Sequence, residues 1–326
     1  MLRTGISGLG ISIPEKVLTN RDLEKMIETT DEWIRTRTGI VERRIVEEGQ
    51  TTLDLCIEAA GNALVSAGVQ PEDLDLIIVA TVTPDMIFPA TACLLQDRLG
   101  ANKAAAFDLE AGCSGFVYAL VTGAQFISTG AYKKVLVVGA ETLSKITDWE
   151  DRNTCVLFGD GAGACVLEPV EKGGILGFDL GSDGAGGKFL DLPAGGSRLP
   201  ASEDTVAQRL HYIRMDGNQV FKFAVKAMGK AALKALEMAG LSNEDIDLFI
   251  PHQANKRIID AAGRKLGLPE EKVYMNLERY GNTSGASIPL ALYEAVNEGK
   301  VKKGDIIVLS GFGAGLSWAA AVLEWI

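Results

Sequence analysis

Short apolar runs recur along the chain, each rich in β-branched residues and bounded by turn formers: 76–83 (LIIVATVT), 135–139 (VLVVG), 248–251 (LFIP) and 306–310 (IIVLS). Runs of this length, apolar on both faces, read as buried strands. Between them lie longer stretches with helical spacing of apolar positions, notably 53–67 and 220–239. The opening residues, MLRTGISGLGISIPEKV, read as a strand running into a turn at Pro14. Strands alternating with helices predict an α/β protein built on mostly parallel sheet. Residues 111–132 carry no charge and are long enough to cross a bilayer. Their glycines and polar residues, with Asp108, Glu110, Lys133 and Lys134 close by, mark them instead as a buried helix of a soluble core.

The pattern also repeats. Residues 64–78 read LVSAGVQPEDLDLII and residues 236–250 read LEMAGLSNEDIDLFI, a match displaced by 172 positions. The same displacement lays 135–139 on 307–311, each after a lysine-containing turn. Two segments in register at one offset predict an internal duplication, with an N-terminal half, 1–170, and a C-terminal half, 171–326. No low-complexity linker separates the halves, so they are expected to pack as one body.

Composition narrows the function. With 326 residues, 47% hydrophobic and 23% charged, the chain can bury one large core or two fused ones. A net charge of −11 argues against a general nucleic-acid binder, which needs a cationic surface to neutralise phosphates. Five cysteines without CxxC spacing and only two histidines argue against a Cys/His metal site. An odd cysteine count without a secretory leader reads as reduced thiols in the cytoplasm, and no membrane partner is expected.

Three glycine-framed turns could carry chemistry. Cys113, in AGCSGF, stands where a strand ends and the uncharged helix begins. The helix macrodipole is expected to lower its pKa and make it a nucleophile. Cys56, Cys93, Cys155 and Cys165 lack that framing and read as structural. His252 follows the strand LFIP and precedes a helix at 254–266, which leaves catalytic and structural roles both open; His211 reads as surface or structural. At the repeat offset Gly285 falls on Cys113, so the turn GNTSGAS should face the nucleophile across a pseudo-two-fold axis. Taken alone, Asn282 would be a turn residue. Gly311-Phe-Gly-Ala-Gly follows another strand and could present backbone N–H groups as an oxyanion hole.

These motifs together make the chain resemble the β-ketoacyl-[acyl-carrier-protein] synthase III family, the initiating condensing enzymes of the thiolase superfamily. The resemblance runs the whole length, through EWIRTRTGI, AGCSGF, FGDGAGA, PHQAN, GNTSGAS and FGAGLSWAA. It implies a thiolase-like duplicated five-layer αβαβα sandwich and a catalytic triad of Cys113, His252 and Asn282. Trp33, Arg37, Arg152 and Asn255 match coenzyme A contacts, and Cys113 with Ala314 matches the oxyanion hole. Ala314 stands where many relatives have glycine, which would strain it if φ were positive there. Lys222, Lys256 and Arg257 match a docking surface for acyl-carrier protein. Phe88 matches a residue inserted from a partner subunit to close the acyl pocket, which implies a homodimer.

The implied reaction is a decarboxylative Claisen condensation. Cys113 takes a short acyl group, expected to be acetyl, from acyl-CoA, and malonyl-acyl-carrier protein then gives 3-ketoacyl-carrier protein, CoA and CO2. Coenzyme A enters as a thioester substrate, and no metal or redox cofactor is required. A starter-unit condensing enzyme of a polyketide or quinolone pathway is the alternative within the family. A Cys-His-Asn hydrolase and a non-catalytic carrier-protein-binding module are alternatives outside it.

Overall fold

The computed structural model describes residues 2–326. Its first sheet orders the strands Arg3–Ser12, Asp160–Val170, Val135–Thr142, Leu76–Ala80 and Ala105–Leu109. The second orders Leu248–Pro251, Ile306–Gly313, Ser317–Glu324 and Gly174–Ser182, so the chain crosses between sheets after Val170. A lone parallel bridge from Phe249 to Val273 stands where the first sheet has its edge strand.

The sheets are mixed, not mostly parallel: four of the seven strand pairings are antiparallel. The strands legible as apolar runs are those joined in parallel pairs, where burial on both faces selects apolar side chains. The antiparallel strands are rich in glycine and alanine, as in DGAGACVLEPV and SWAAAVLE. Their small side chains hide the strand signal.

Helices cover both sheets. Adjacent strand residues point to opposite faces, and Ile77 and Ile78 show where each face goes. Ile77 packs outward with Val138 against Leu55, Ala59 and Leu95, on the helices Thr52–Ala67 and Thr91–Leu99. Ile78 packs inward with Val137, Ile250 and Leu309 against Phe116, Leu120 and Leu292, on the helices Gly115–Ser128 and Ser287–Asn297. On the far side, Phe249 and Val308 meet Met228, Ala232 and Ile258, on Gly217–Ala239 and Lys256–Lys265. Helix, sheet, helix, sheet and helix make five layers held by three apolar clusters, the central one reaching both sheets.

The duplicated sequence marks helix ends. Thr51 and Asp54 form a capping box before Thr52–Ala67, and Asp216 accepts from Gln219 N–H before Gly217–Ala239. The Ala-Gly of each copy closes its helix on a left-handed glycine, Gly68 at φ +66° and Gly240 at φ +71°. The 3₁₀ turns Gly112–Ser114 and Ser284–Ala286 sit at the same offset and open the two central helices. The uncharged segment is therefore a buried helix of the middle layer, and no helix among the described residues is long and apolar enough to cross a membrane.

Candidate functional site

The two 3₁₀ turns meet at the centre of the molecule. Gly112 is at φ +54°, and a Cβ there would lie 2.7 Å from the Ala314 nitrogen. A Cβ on Gly313 would lie 2.3 Å from the Cys113 nitrogen. Glycine at both positions lets the loop 313–315 lie flat against the nucleophile turn. Among the described residues, no carbonyl outside the helices and strands accepts from the Cys113 or the Ala314 N–H. Positive φ in a non-glycine residue occurs only at Arg209 and Ser284 among the described residues, so Ala314 is unstrained.

The Cys113 thiol does not behave as its position at a helix start predicts. Burial pushes its pKa up to about 12, opposed in part by a hydrogen bond with Ser284 and reinforced by the Glu141 carboxyl. Local dipole reasoning fails because desolvation of a thiolate outweighs the pull of one helix end. Desolvation thus favours the neutral thiol over the thiolate.

His252 is fully buried, its N–H paired to Ser310 O at 2.8 Å beside the strand Leu248–Pro251. Its ring stands edge-on to Phe312, with centroids 5.5 Å apart, and Nδ1 lies 2.6 Å from Ser287 Oγ. Nε2 is buried without a partner. Burial brings the imidazole pKa down to about 3, so the ring is neutral.

Asn282 is fixed on three sides. Its N–H donates to Leu157 O, its carbonyl accepts from Gly159 N–H, and Oδ1 accepts from Ser284 N–H at 2.8 Å. The amide NH2 is left without a protein acceptor among the described residues. The turn that begins at Asn282 thus reaches the thiol through Ser284 and the imidazole through Ser287, gathering the three predicted residues at one place. The result is one thiol, the backbone N–H groups of Cys113 and Ala314, an imidazole nitrogen without a partner and a free amide NH2.

The outer residues assemble more loosely. Arg37 and Arg152 each lie 4.9 Å from the Trp33 ring, a cation–π arrangement with both arginines exposed. Asn255 caps the helix Lys256–Lys265 by accepting from Arg257 N–H, and its Nδ2 donates to Arg37 O at 3.0 Å. It ties the Trp33 helix, Asp31–Thr38, to the loop after His252. Lys222 and Arg257 are exposed, with Arg257 over the Phe221 ring, while Lys256 is paired with Asp260 at 3.0 Å. Phe88 is 82% exposed and Ile87 81%, so Phe88 is no core aromatic of its own chain. His211 bonds Thr205 Oγ away from the site, as read.

Four residues of the site escaped sequence reasoning. Ser284 and Ser287 lie inside a recognised motif, but their work depends on contacts to the other half. Glu141 ends an otherwise apolar strand, and that lone carboxylate was the available signal. Arg43 is completely buried and donates to Leu18 O, Asn20 Oδ1 and Val156 O. Through Val156 it braces the segment against which Asn282 pairs.

The family models for 3-oxoacyl-[acyl-carrier-protein] synthase III match residues 107–184 and, for its C-terminal part, 236–325. A β-ketoacyl-[acyl-carrier-protein] synthase III of Caldanaerobacter subterraneus is 61% identical over 99% of this chain and 98% of its own. The crystal structure of a synthase III from Thermus thermophilus matches with a TM-score of 0.93 at 53% identity, covering 99% of both chains. A priming β-ketosynthase of the R1128 polyketide pathway matches with a TM-score of 0.92 at 39% identity, covering 99% of this chain and 97% of the other.

Proposed function

The chain belongs to the β-ketoacyl-[acyl-carrier-protein] synthase III family, and from that premise we propose that it starts fatty acid synthesis by condensing a short acyl-CoA with malonyl-acyl-carrier protein. The polyketide starter reading is no better supported, since its structural relative, at 39% identity, is less similar than synthase III relatives at 61% and 53%.

The observation that carries the reading is the pair of vacant side-chain groups, His252 Nε2 and the Asn282 amide NH2, in the half that packs its turn against the Cys113 turn. Cys113 attacks the thioester carbon of the acyl-CoA, giving up its proton as the new C–S bond forms. The Cys113 and Ala314 N–H groups hold the developing oxyanion, and CoA leaves as the thiol. Malonyl-carrier protein then places its thioester oxygen against His252 and Asn282. Both donate to that oxygen while CO2 departs, stabilising the enolate. Its carbon attacks the acyl-Cys113 carbonyl, the 3-ketoacyl product leaves, and the released Cys113 thiolate takes a proton from water. Loss of CO2 drives the sequence, and coenzyme A takes part only as a substrate.

Trp33 with Arg37 and Arg152 would hold the adenine and phosphates of coenzyme A, with Asn255 on the pantetheine path. Lys222, Arg257 and the partly neutralised Lys256 would meet the acidic carrier protein. The exposed Ile87 and Phe88 support a homodimer in which each loop is covered by the other subunit. The reading places the enzyme in the cytoplasm with its carrier protein. Incubation with radiolabelled acetyl-CoA and malonyl-carrier protein tests it: labelled acetoacetyl-carrier protein with matching CO2 is expected. An acylated enzyme that releases only free acetate would instead make it a hydrolase.

A further inference from the structure

We infer that Ser287 fixes the tautomer of His252, holding Nδ1 bare so that the ring's one proton sits on Nε2. The role in condensation rests on the function proposed above; the tautomer itself does not.

The argument is an accounting of hydrogens. A neutral imidazole has one N–H and one bare nitrogen. A serine hydroxyl has one hydrogen and two lone pairs. Among the described residues, Ser287 Oγ has two partners, the His252 Nδ1 at 2.6 Å and the Gln253 N–H at 3.4 Å. The Gln253 N–H can only donate, so it occupies a lone pair of the hydroxyl. The hydroxyl hydrogen then has Nδ1 as its one acceptor. If Nδ1 carried the proton instead, Ser287 would receive two donors and its own hydrogen would be stranded in a buried site, since Ser287 is 2% exposed. That form leaves two buried polar groups unmet, the hydroxyl hydrogen and the bare Nε2, whereas the Nε2–H form leaves one, and each unmet group costs roughly 1–3 kcal/mol. Bonding from Ser287 to Nδ1 leaves Nε2–H as the free end, and Nε2 is the buried ring atom without a partner.

The imidazole plane is held as well. The Phe312 edge contact fixes one side, and the backbone bond to Ser310 fixes the Cα. Ser287 opens the helix Ser287–Asn297 and follows Asn282 by one turn of chain. One short segment therefore orients both donors of the proposed enolate site. A consequence is that resting Nε2 cannot accept the Cys113 proton, which separates His252 from the first half-reaction.

The chain has two histidines, so selective ¹⁵N-histidine labelling gives a readable spectrum. The wild type is expected to show His252 protonated at Nε2, with Nδ1 bare and hydrogen-bonded. Ser287→Ala should populate the other tautomer and slow malonyl decarboxylation about tenfold or more relative to Cys113 acylation. Ser287→Thr, which keeps the hydroxyl, should restore both. A wild-type Nδ1–H signal overturns the inference, even if Ser287→Ala fails to fold. So does a folded Ser287→Ala with unchanged tautomer and decarboxylation. A correct tautomer in an enzyme unable to condense would overturn the proposed function and leave the Ser287 assignment standing.

Discussion

The Glu141 carboxyl accepts a hydrogen bond from Ser284 Oγ at 3.0 Å and so joins the end of the strand Val135–Thr142 to the turn that carries Asn282. Thr83 Oγ donates to the same carboxyl at 2.7 Å and Val82 N–H at 3.1 Å. Every one of these partners is neutral. Without a cation nearby, burial dominates and lifts the Glu141 pKa from 4.5 to about 7. The carboxyl thus stands between two roles, a clamp across the halves and a charge that opposes the Cys113 thiolate.

That shift sets a pH dependence of stability. A carboxyl whose folded pKa is raised contributes stability that is fully present below its unfolded pKa of 4.5 and is lost as pH rises through about 7. Glu141→Gln cannot ionise, so it should gain on the wild type across that window by about 3 kcal/mol. Urea unfolding of both proteins at several pH values measures the difference. A constant offset between them would mean that Glu141 does not titrate there. The same variant should also let Cys113 react with iodoacetamide at lower pH, because one opposing charge is gone.

Replacing the triad should separate the half-reactions. Cys113→Ala removes the nucleophile and should abolish acyl-enzyme formation. His252→Ala and Asn282→Ala should each lower malonyl decarboxylation by on the order of 10²–10³ and acylation far less. Rapid-quench assays of the two steps distinguish them. Equal loss of acylation in all three would make His252 a base toward Cys113, as in a hydrolase.

How much of this could be read from the chain depends on the range of the interaction involved. Leu248–Pro251 was legible because a buried parallel strand must be apolar on both faces. Ala105–Leu109 was not, since its residues are mostly half-buried. Cys113 and His252 stand out by framing, each at the end of a strand, and Asn282, within a glycine turn, by resemblance alone. The Cys113 proton affinity was read in the wrong direction, because a helix dipole is local and burial between two halves is not. Ser287 follows the same rule: its spacing from Asn282 is plain, but the imidazole it touches comes from another strand.

Charge reversal should test carrier-protein docking. The protein is acidic overall, at −11, so an acidic partner needs a local positive face. Lys222→Glu and Arg257→Glu should each raise KM for malonyl-carrier protein by roughly fivefold, about 1 kcal/mol, with little change for acyl-CoA. Lys256→Glu should do less through docking, because its ammonium is already paired with Asp260. The effects should fade as salt is raised. Equal changes in KM for acyl-CoA would assign the patch to the CoA phosphates.

Chain length is the last test, and it turns on a ring that its own chain leaves bare. Phe88 is 82% exposed in a protein whose other large side chains are mostly covered, and Ile87 and Met86 lie bare beside it. An apolar loop of this kind marks an interaction surface, since water gains nothing by covering it. In a homodimer the ring would cross to the other subunit and form the floor of its acyl pocket. Each methylene accommodated in an apolar pocket contributes about 0.8 kcal/mol, whereas forcing one against a fixed ring costs roughly 1–3 kcal/mol. A phenyl floor therefore favours short primers, and the native enzyme should use acetyl- or short branched-chain CoA. Phe88→Thr should shift use toward octanoyl- to dodecanoyl-CoA while leaving malonyl decarboxylation intact. Acylation rates of Cys113 across a chain-length series measure this, alongside sedimentation to establish that the variant is still a dimer. An unchanged profile in a dimeric variant would remove Phe88 from the pocket, and a native preference for long chains would remove the floor altogether.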